Sequence, residues 1–221
     1  SEETRKSAVP SEYTINLTRR KKMNNAMKIT INDSLYRRKT FLSFHFDALE
    51  PFLSKGVRAK IRKCSEKEST EFMKSVVSVD ADPLRLQPKT IGSDTLRMRP
   101  YQLKGLEWML HMFDCGMHPI LGDEMGLGKT LQTISLLSAL KHERKLPGIN
   151  LIVVPLSVIS SWLSEFRKWC PTLRIMRFHA TDATERERLK RELLTNPENL
   201  DVVLTTYETV KSKDMIRVFS G

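Results

Sequence analysis

The sequence is poor in the features that mark secreted and membrane proteins. Its 221 residues include three cysteines, Cys64, Cys115 and Cys170, an odd number at wide spacings that fits neither a disulfide framework nor a zinc site. No apolar run approaches the ~20 residues that a membrane span needs, and the first residues lack the apolar core of a signal peptide. We therefore expect reduced thiols in a soluble protein of the cytosol or nucleus, with no membrane partner.

Acidic residues are also scarce relative to basic ones. The chain has 37 lysines and arginines against 26 aspartates and glutamates, a formal net charge of +11. Residues 1–95 hold 19 of the basic and 12 of the acidic residues, a net +7, while residues 96–221 hold 18 and 14, a net +4. This excess favours polyanionic partners, with nucleic acid ahead of acidic membrane surfaces. The five histidines pair with no cysteine or carboxylate at ligand spacing, so no metal site built by side chains alone is predicted.

The pattern of apolar residues changes near residue 95. Residues 1–95 show weak periodicity, and basic clusters break up their short apolar groups, at 19–22, 37–39 and 60–63. We interpret them as a basic N-terminal region, mostly irregular or helical and partly disordered, with one or two helices in 41–63 and a linker over 80–94. Its basic clusters are open to four interpretations: nuclear import, DNA contact, autoinhibition or simple solvation.

Residues 96–221 alternate between helix and strand patterns. Helices are predicted over 100–113, 129–143, 157–169 and 182–194, and strands over 119–121, 151–154, 173–178 and 202–205. This alternation predicts an α/β fold in which helices flank a parallel sheet. Ligands of such sheets bind at the carboxyl ends of the strands. Three segments of this chain are expected to gather there: residues 123–130, Pro155 and residues 205–206.

The first of these segments runs from Asp123 to Thr130 and is called the Gly-rich loop below. Its glycines, Gly126 and Gly128, permit positive φ and close approach of the backbone to phosphate oxygens. Lys129 supplies a cation for phosphate, and Thr130 an oxygen of the kind that completes the shell of a phosphate-bound Mg²⁺. The general pattern G-x-x-x-x-G-K-[ST] has glycine where this chain has Asp123. We predict a nucleotide site; the alternative is a glycine-rich helix start that binds nothing.

Four segments of the second part form a set: residues 98–109, 120–134, 154–157 and 205–208. Together they resemble the first motor lobe of Snf2-family ATPases, the DNA translocases of chromatin remodellers within helicase superfamily 2. Residues 141–142, 147–148 and 162–169 are most similar to the ISWI branch, with the CHD branch next. Aspartate is usual at the first loop position in this family. The resemblance implies that residues 96–221 are the N-terminal portion of ATP-binding lobe 1, a P-loop RecA-like parallel sheet with flanking helices that is incomplete here.

The resemblance also assigns residues to a nucleotide. It implies that Gln102 reads the adenine edge, a role that its two-faced amide suits; without the resemblance it is also compatible with a helix-surface glutamine. It implies catalytic roles for Lys129 and Thr130, with Thr130 as the Mg²⁺ ligand and with ATP and Mg²⁺ as the cofactors. The nucleotide-binding residues would then be Gln102, Asp123, Glu124, Met125, Gly126, Leu127, Gly128, Lys129 and Thr130.

A second set of residues resembles the segments that hold the DNA backbone in this family. They are Pro155, Ser157, Thr205, Thr206 and Tyr207. Hydroxyls and helix N-terminal N–H groups are ordinary phosphate partners. From its sequence alone, Ser157 is more simply interpreted as a helix N-cap. The implied partners are double-stranded DNA, nucleosomes and subunits of a remodelling complex, and the implied location is the nucleus.

Hydrolysis by such a motor requires groups that the chain does not show. The family carries an Asp-Glu pair well after the 205–208 segment and an arginine on a second lobe, whereas Asp201 precedes its predicted strand. We therefore expect the ATP-binding part of a chromatin-remodelling translocase that, alone, binds ATP and DNA without efficient hydrolysis. The alternatives are a truncated, non-enzymatic DNA-binding, nucleosome-binding or regulatory module and, further away, an unrelated P-loop kinase or GTPase.

Overall fold

A computed structural model describes residues 12–61, 66–77, 87–212 and 218 of the chain, without the side chains of 12–17, 19–20 and 76–77. The described residues form two compact units. The first, the sheet unit, comprises those of 1–28, 147–159 and 174–221. The second, the loop unit, comprises those of 29–146 and 160–173. These units divide the chain differently from the boundary predicted near residue 95, and the extent of the motor lobe stays a prediction.

The N-terminal region is mainly helical over its described residues up to 77. Its helices are α1 (Glu12–Phe44), α2 (Phe46–Leu49), α3 (Lys55–Ile61) and α4 (Glu66–Val77), with a 3₁₀ turn at Glu50–Phe52. The length of α1 was not predicted, because its apolar residues follow no single helical face. The segment contains no proline or glycine to interrupt it. Even so, no helix of the described ranges is long and apolar enough to cross a membrane.

The predicted helices of the second part are present within one to two residues of their expected bounds. They are α5 (Pro100–Asp114), α6 (Lys129–His142), α7 (Ile159–Trp169) and α8 (Ala183–Thr195). A further short helix, α9 (Tyr207–Lys211), comes after them in the chain. Proline at the first position of α5 and Gly116, at φ +70°, just beyond its end explain the bounds of that helix. The part of the predicted linker before residue 87 lies outside the described residues, and residues 87–99 contain no helix or strand.

The sheet unit is built on three parallel strands, β1 (Asn150–Val154), β2 (Ile175–Phe178) and β3 (Val202–Thr206), in the order β1-β3-β2. The central strand β3 is buried at all five positions, as expected where both faces of a parallel strand are covered. On one face Leu189 and Leu193 of α8 pack against Met176, Phe178 and Val203. The predicted α/β fold, a parallel sheet with flanking helices, is confirmed.

The strand predicted at 119–121 is wrong. Residues 117–124 form no regular structure, and the side chain of Ile120 is 90% exposed. An apolar run becomes a strand only when a neighbouring strand accepts its hydrogen bonds, and Pro119 has no N–H to donate. The Gly-rich loop therefore follows an irregular segment. Pro155, in contrast, directly follows the end of β1 at Val154, and Thr206 is the last residue of β3 and pairs with Val154.

Candidate functional site

The two glycines of the Gly-rich loop adopt left-handed torsions. Gly126 has φ +87° and Gly128 has φ +81°, and Gly128 is the N-cap of α6. A Cβ at Gly126 would enter open space, whereas a Cβ at Gly128 would clash with the Nε2 atom of Gln102. Both positions therefore require glycine for its torsions, and Gly128 requires it for space as well.

Lys129 lies at the centre of the loop's hydrogen bonding. Its Nζ donates to the carbonyl of Asp123 at 2.5 Å and to the carbonyl of Glu124 at 2.7 Å. The chain thus wraps around its own ammonium at the start of α6, where unpaired N–H groups and the helix dipole also favour an anion. Phosphate oxygens are stronger acceptors for this ammonium than carbonyls, so the arrangement fits a polyphosphate.

Gln102 connects the start of α5 to the Gly-rich loop. Its side chain is 6% exposed, with Oε1 accepting from the backbone N–H of Arg99 at 2.9 Å and Nε2 donating to the carbonyl of Leu127 at 3.1 Å. The Tyr101 hydroxyl donates to the same carbonyl at 3.3 Å. Both ends of the Gln102 amide therefore have protein partners, and its contact with adenine stays a prediction.

Sequence reasoning missed Gln132, which also holds the loop. This residue of α6 is fully buried, and its Nε2 donates to Asp123 Oδ2 at 3.0 Å. A Cβ at Gly105 of α5 would clash with Gln132 Oε1. A glycine inside a helix is destabilising by about 1 kcal/mol relative to alanine and indicates close packing. Gly105 was therefore the sequence signal that could have identified this contact.

The other loop residues differ in exposure. Met125 is 94% exposed and Leu127 36% exposed, while Thr130 is half-buried at the second position of α6. The predicted Mg²⁺ ligand Thr130 thus lies beside Lys129 on the first turn. Across the residues that the structure describes, no three His, Cys, Asp or Glu side chains come together as a metal site. A Mg²⁺ ion here would depend on Thr130 and on phosphate oxygens.

The carboxyl edge of the sheet carries the residues predicted to contact DNA. Pro155 and Ser157 follow β1 and are exposed, and Ser157 lies within the 3₁₀ turn Leu156–Val158 rather than capping α7. Tyr207 follows β3 and is 49% exposed. These three residues are accessible to a ligand that approaches this edge.

The two threonines at the same edge are buried. The hydroxyl of Thr205 donates to the carbonyl of Phe178 at 2.7 Å, which links β3 to β2. The side-chain oxygen of Thr206 accepts from the N–H of Thr209 at 3.3 Å and caps α9. Their side chains position the edge, and their contact with DNA stays a prediction.

A groove of about 360 Å³ lies at this edge. Its lining includes Leu156, Phe178, His179, Arg186, Thr206 and Glu208. The pKa of Glu208 lies below its usual range, because the carboxylate accepts from its own backbone N–H and from the Thr206 hydroxyl, with smaller contributions from Lys211 and His179. The groove thus contains charged groups of both signs.

Asp201 lies at the opposite, amino end of β3. Its carboxylate is 2–3% exposed and bonds the Arg174 guanidinium twice, Nε to Oδ2 and Nη2 to Oδ1, both at 3.0 Å. Oδ2 also accepts from the backbone N–H of Arg174 at 2.9 Å. This pairing raises the pKa of Arg174. Asp201 therefore joins β3 to the start of β2, at the end of the sheet opposite the carboxyl edge.

Comparison with known proteins gives concordant matches. The chain is 42% identical over 123 residues to "SWI/SNF-related matrix-associated actin-dependent regulator of chromatin subfamily A member 1" of Homo sapiens, covering 55% of this chain and 12% of that protein. It is 35% identical over 206 residues to an ISWI chromatin-remodeling complex ATPase of Arabidopsis thaliana, covering 90% of this chain and 19% of that protein. The solved Sulfolobus solfataricus SWI2/SNF2 ATPase core in complex with dsDNA is 38% identical, with a TM-score of 0.48, covering 58% of this chain and 25% of that one.

The chain spans less than a fifth of the length of these two curated relatives. Residues 101–219 match the family described as SNF2-related domain, and this range takes in more than half of the chain. The match overlaps the segments whose resemblance was noted above, and that prediction is confirmed. The protein belongs to the SNF2-related domain family.

Proposed function

We propose that this chain is the ATP-binding part of an ATP-dependent DNA translocase that remodels nucleosomes in the cell nucleus. The observation that carries the proposal is the Lys129 ammonium, held inside the Gly-rich loop by the carbonyls of Asp123 and Glu124. Family membership and the chromatin-related names of the relatives support it. Bound MgATP would supply the phosphoanhydride bond whose hydrolysis drives movement along DNA.

Each residue of the loop has a role in this proposal. Lys129 exchanges the loop carbonyls for phosphate oxygens, and the first N–H groups of α6 add hydrogen-bond donors. Thr130 supplies one oxygen to Mg²⁺, an ion that keeps most of its waters and takes few protein ligands. Gln102 fixes the loop through the Leu127 carbonyl, and its amide would bind the adenine edge.

The DNA-contacting role is proposed for the carboxyl edge of the sheet. Pro155, Ser157 and Tyr207 are exposed there, and contacts from such groups to phosphates carry no sequence information, as a translocating motor requires. The net charge of +11 favours the same partner. Nucleosomes and further subunits of a remodelling complex are the proposed larger assembly.

Nucleotide titration tests the site. A fluorescent ATP analogue with Mg²⁺ should bind the chain, and Lys129→Ala should weaken binding about 10- to 100-fold, the effect of losing a hydrogen-bonded charge. Lys104→Ala is the matched control, because Lys104 is an exposed lysine of the same unit. If Lys129→Ala and Lys104→Ala bind the analogue as wild type does, the proposed nucleotide site is wrong.

We propose further that the chain alone does not hydrolyse ATP efficiently. P-loop ATPases use a carboxylate after a second strand to hold Mg²⁺, and Asp201 is engaged with Arg174 at the other end of β3. DNA-stimulated phosphate release should stay at the level of the Lys129→Ala variant. Release that survives purification and disappears in that variant would contradict this.

A second function, a non-enzymatic DNA-binding or nucleosome-binding module, is favoured by the basic charge of residues 1–95. This function predicts that the chain binds DNA in a salt-dependent way and does not bind the ATP analogue. The two measurements together therefore distinguish a motor part from a simple binding module.

A further inference from the structure

We propose that Gln132 is a positioning residue for the nucleotide site: its amide holds the carboxylate of Asp123 away from the Lys129 ammonium, which keeps that cation available for phosphate. The inference rests on the proposed nucleotide site and adds a residue to it. It explains how an aspartate can occupy the loop position where the general P-loop pattern has glycine.

Asp123 presents a chemical conflict at this position. An aspartate near a lysine ordinarily forms an ion pair with it, and a free carboxylate repels a polyphosphate. In this loop the Lys129 Nζ bonds the backbone carbonyl of Asp123 at 2.5 Å, and no ion pair joins these two described side chains. The carboxylate is instead bonded to Gln132 at 3.0 Å.

The orientation of the Gln132 amide follows from the chemistry of its partner. An ionised carboxylate can only accept, so the amide turns its NH₂ group to Asp123. Its Oε1 is buried and accepts no hydrogen bond from the described residues. Leaving a buried acceptor unpaired is destabilising by about 1 to 3 kcal/mol, which is consistent with a side chain placed for the bond to Asp123.

The packing of α5 on α6 prevents the amide from moving aside. Gln132 is fully buried, and its Oε1 lies where a Cβ of Gly105 would be. Gly105 thus provides the space, Gln132 provides the donor, and Asp123 is held at both its side chain and its carbonyl. The loop is pre-organised with the carboxylate bound to Gln132 and the cation bound to two backbone carbonyls.

A double-mutant cycle with nucleotide affinity as the readout tests this role. Gln132→Met removes the N–H donor at similar volume and should weaken binding of the Mg²⁺-bound ATP analogue about tenfold, the effect of losing a charge-assisted hydrogen bond. In the Asp123→Gly background, which restores the general loop pattern, the same substitution should change the dissociation constant less than about twofold, because no carboxylate needs holding.

Two further variants keep the test decisive. Gly105→Ala displaces the amide from the other helix and should reproduce the Asp123-dependent loss, so it replaces Gln132→Met if that variant does not fold. Ser135→Ala alters a different buried polar residue of α6, one that bonds Met98 rather than the loop, and should leave nucleotide affinity unchanged. Circular dichroism melting of every variant monitors the fold.

The outcomes separate the inference from the function on which it rests. Equal losses with and without the Asp123 carboxylate would mean that Gln132 only packs the helices, and no loss would mean that it does nothing for the site; either result overturns the inference. Wild-type affinity in Lys129→Ala would overturn the nucleotide site itself. Loss in Lys129→Ala with an unchanged Gln132→Met would overturn only the role of Gln132.

Discussion

The two glycines of the Gly-rich loop differ in the space that surrounds them. Gly126 and Gly128 share a positive φ, but only at Gly128 would a side chain meet another group, the Gln102 amide. An alanine at either position is strained by its torsion. At Gly128 it would also push Gln102 away from the Leu127 carbonyl and so disturb the start of α5.

We therefore expect Gly128→Ala to weaken binding of the ATP analogue more than Gly126→Ala does, by about tenfold between the two. Titration of both variants measures the difference. Gly56→Ala serves as a control, because a Cβ there meets nothing within 4 Å. Equal affinities for the two loop variants would contradict a role for the Gln102 contact.

Asp201 is a buried acid with a structural role. Removing its carboxylate leaves the Arg174 backbone N–H without its acceptor, while the Arg174 side chain, 48% exposed, can turn its guanidinium to water. We expect Asp201→Ala to lower the free energy of unfolding by about 2 to 3 kcal/mol, measured by denaturant titration. Nucleotide affinity of the folded variant should be unchanged; a loss of affinity would mean that Asp201 does serve the nucleotide site.

At the scale of elements, arginines of α1 donate hydrogen bonds to the carbonyls at the end of α5. Arg37 Nη1 donates to the carbonyl of Asp114 at 3.0 Å, Arg38 Nε donates to that of Gly116 at 2.8 Å, and Arg38 Nη2 also contacts His118. The last carbonyls of a helix have no partner within it, and arginines are suitable donors to them. The sequence left the role of the 37–39 cluster open between nuclear import, DNA contact, autoinhibition and solvation; in the structure its two arginines bond to backbone carbonyls of the protein.

Arg38→Ala should lower the free energy of unfolding by about 1 to 2 kcal/mol, because the carbonyl of Gly116 loses a charged donor. Chemical denaturation followed by circular dichroism measures this. Lys39→Ala removes the same charge from the next position and leaves both capped carbonyls in place, so its effect should be smaller. Similar losses of unfolding free energy in the two variants would show that the positive charge, and not the bond to the Gly116 carbonyl, determines the stability.

The stability that Glu208 contributes at the start of α9 should depend on pH. The pKa of Glu208 is lowered, so its carboxylate is bound more favourably in the folded chain than in the unfolded one. The stability it contributes is complete above its ordinary pKa of 4.5 and is lost as the pH falls below that value. The difference in unfolding free energy between wild type and Glu208→Gln should therefore be constant near neutral pH and shrink in acid. A difference independent of pH would contradict this.

At the scale of the whole molecule, the net charge of +11 dominates the expected interactions. The affinity for double-stranded DNA should fall linearly with the logarithm of salt concentration, with a slope of about −0.9 for each phosphate engaged, and should be equal for unrelated sequences. Fluorescence anisotropy at several salt concentrations measures the slope. Replacing the four basic residues at 19–22 by glutamine should make it shallower if they contact DNA, and sequence-specific binding would contradict the motor proposal.

The sequence predictions were correct where a structure depends on residues close together in the chain, and wrong where it depends on distant ones. Helices α5 and α6 were predicted closely because Pro100, Gly116 and the Gly-rich loop are local signals. The strand at 119–121 failed because strand formation depends on a partner distant in sequence. The burial of Thr205 and Thr206 was missed for a similar reason. The elements that cover β3 cannot be located from local sequence patterns.

The sequence by itself determined the Gly-rich loop, the cation and hydroxyl of Lys129 and Thr130, and the family, because these depend on residue type and spacing within a few turns of chain. The tertiary structure decided what the amides of Gln102 and Gln132 bind, what Arg37 and Arg38 cap, and where Asp201 lies. Most of those contacts join residues 25 to 78 positions apart, and the bond from Gln132 to Asp123 depends on how α6 packs beside the loop. They therefore depend on packing that no local pattern encodes.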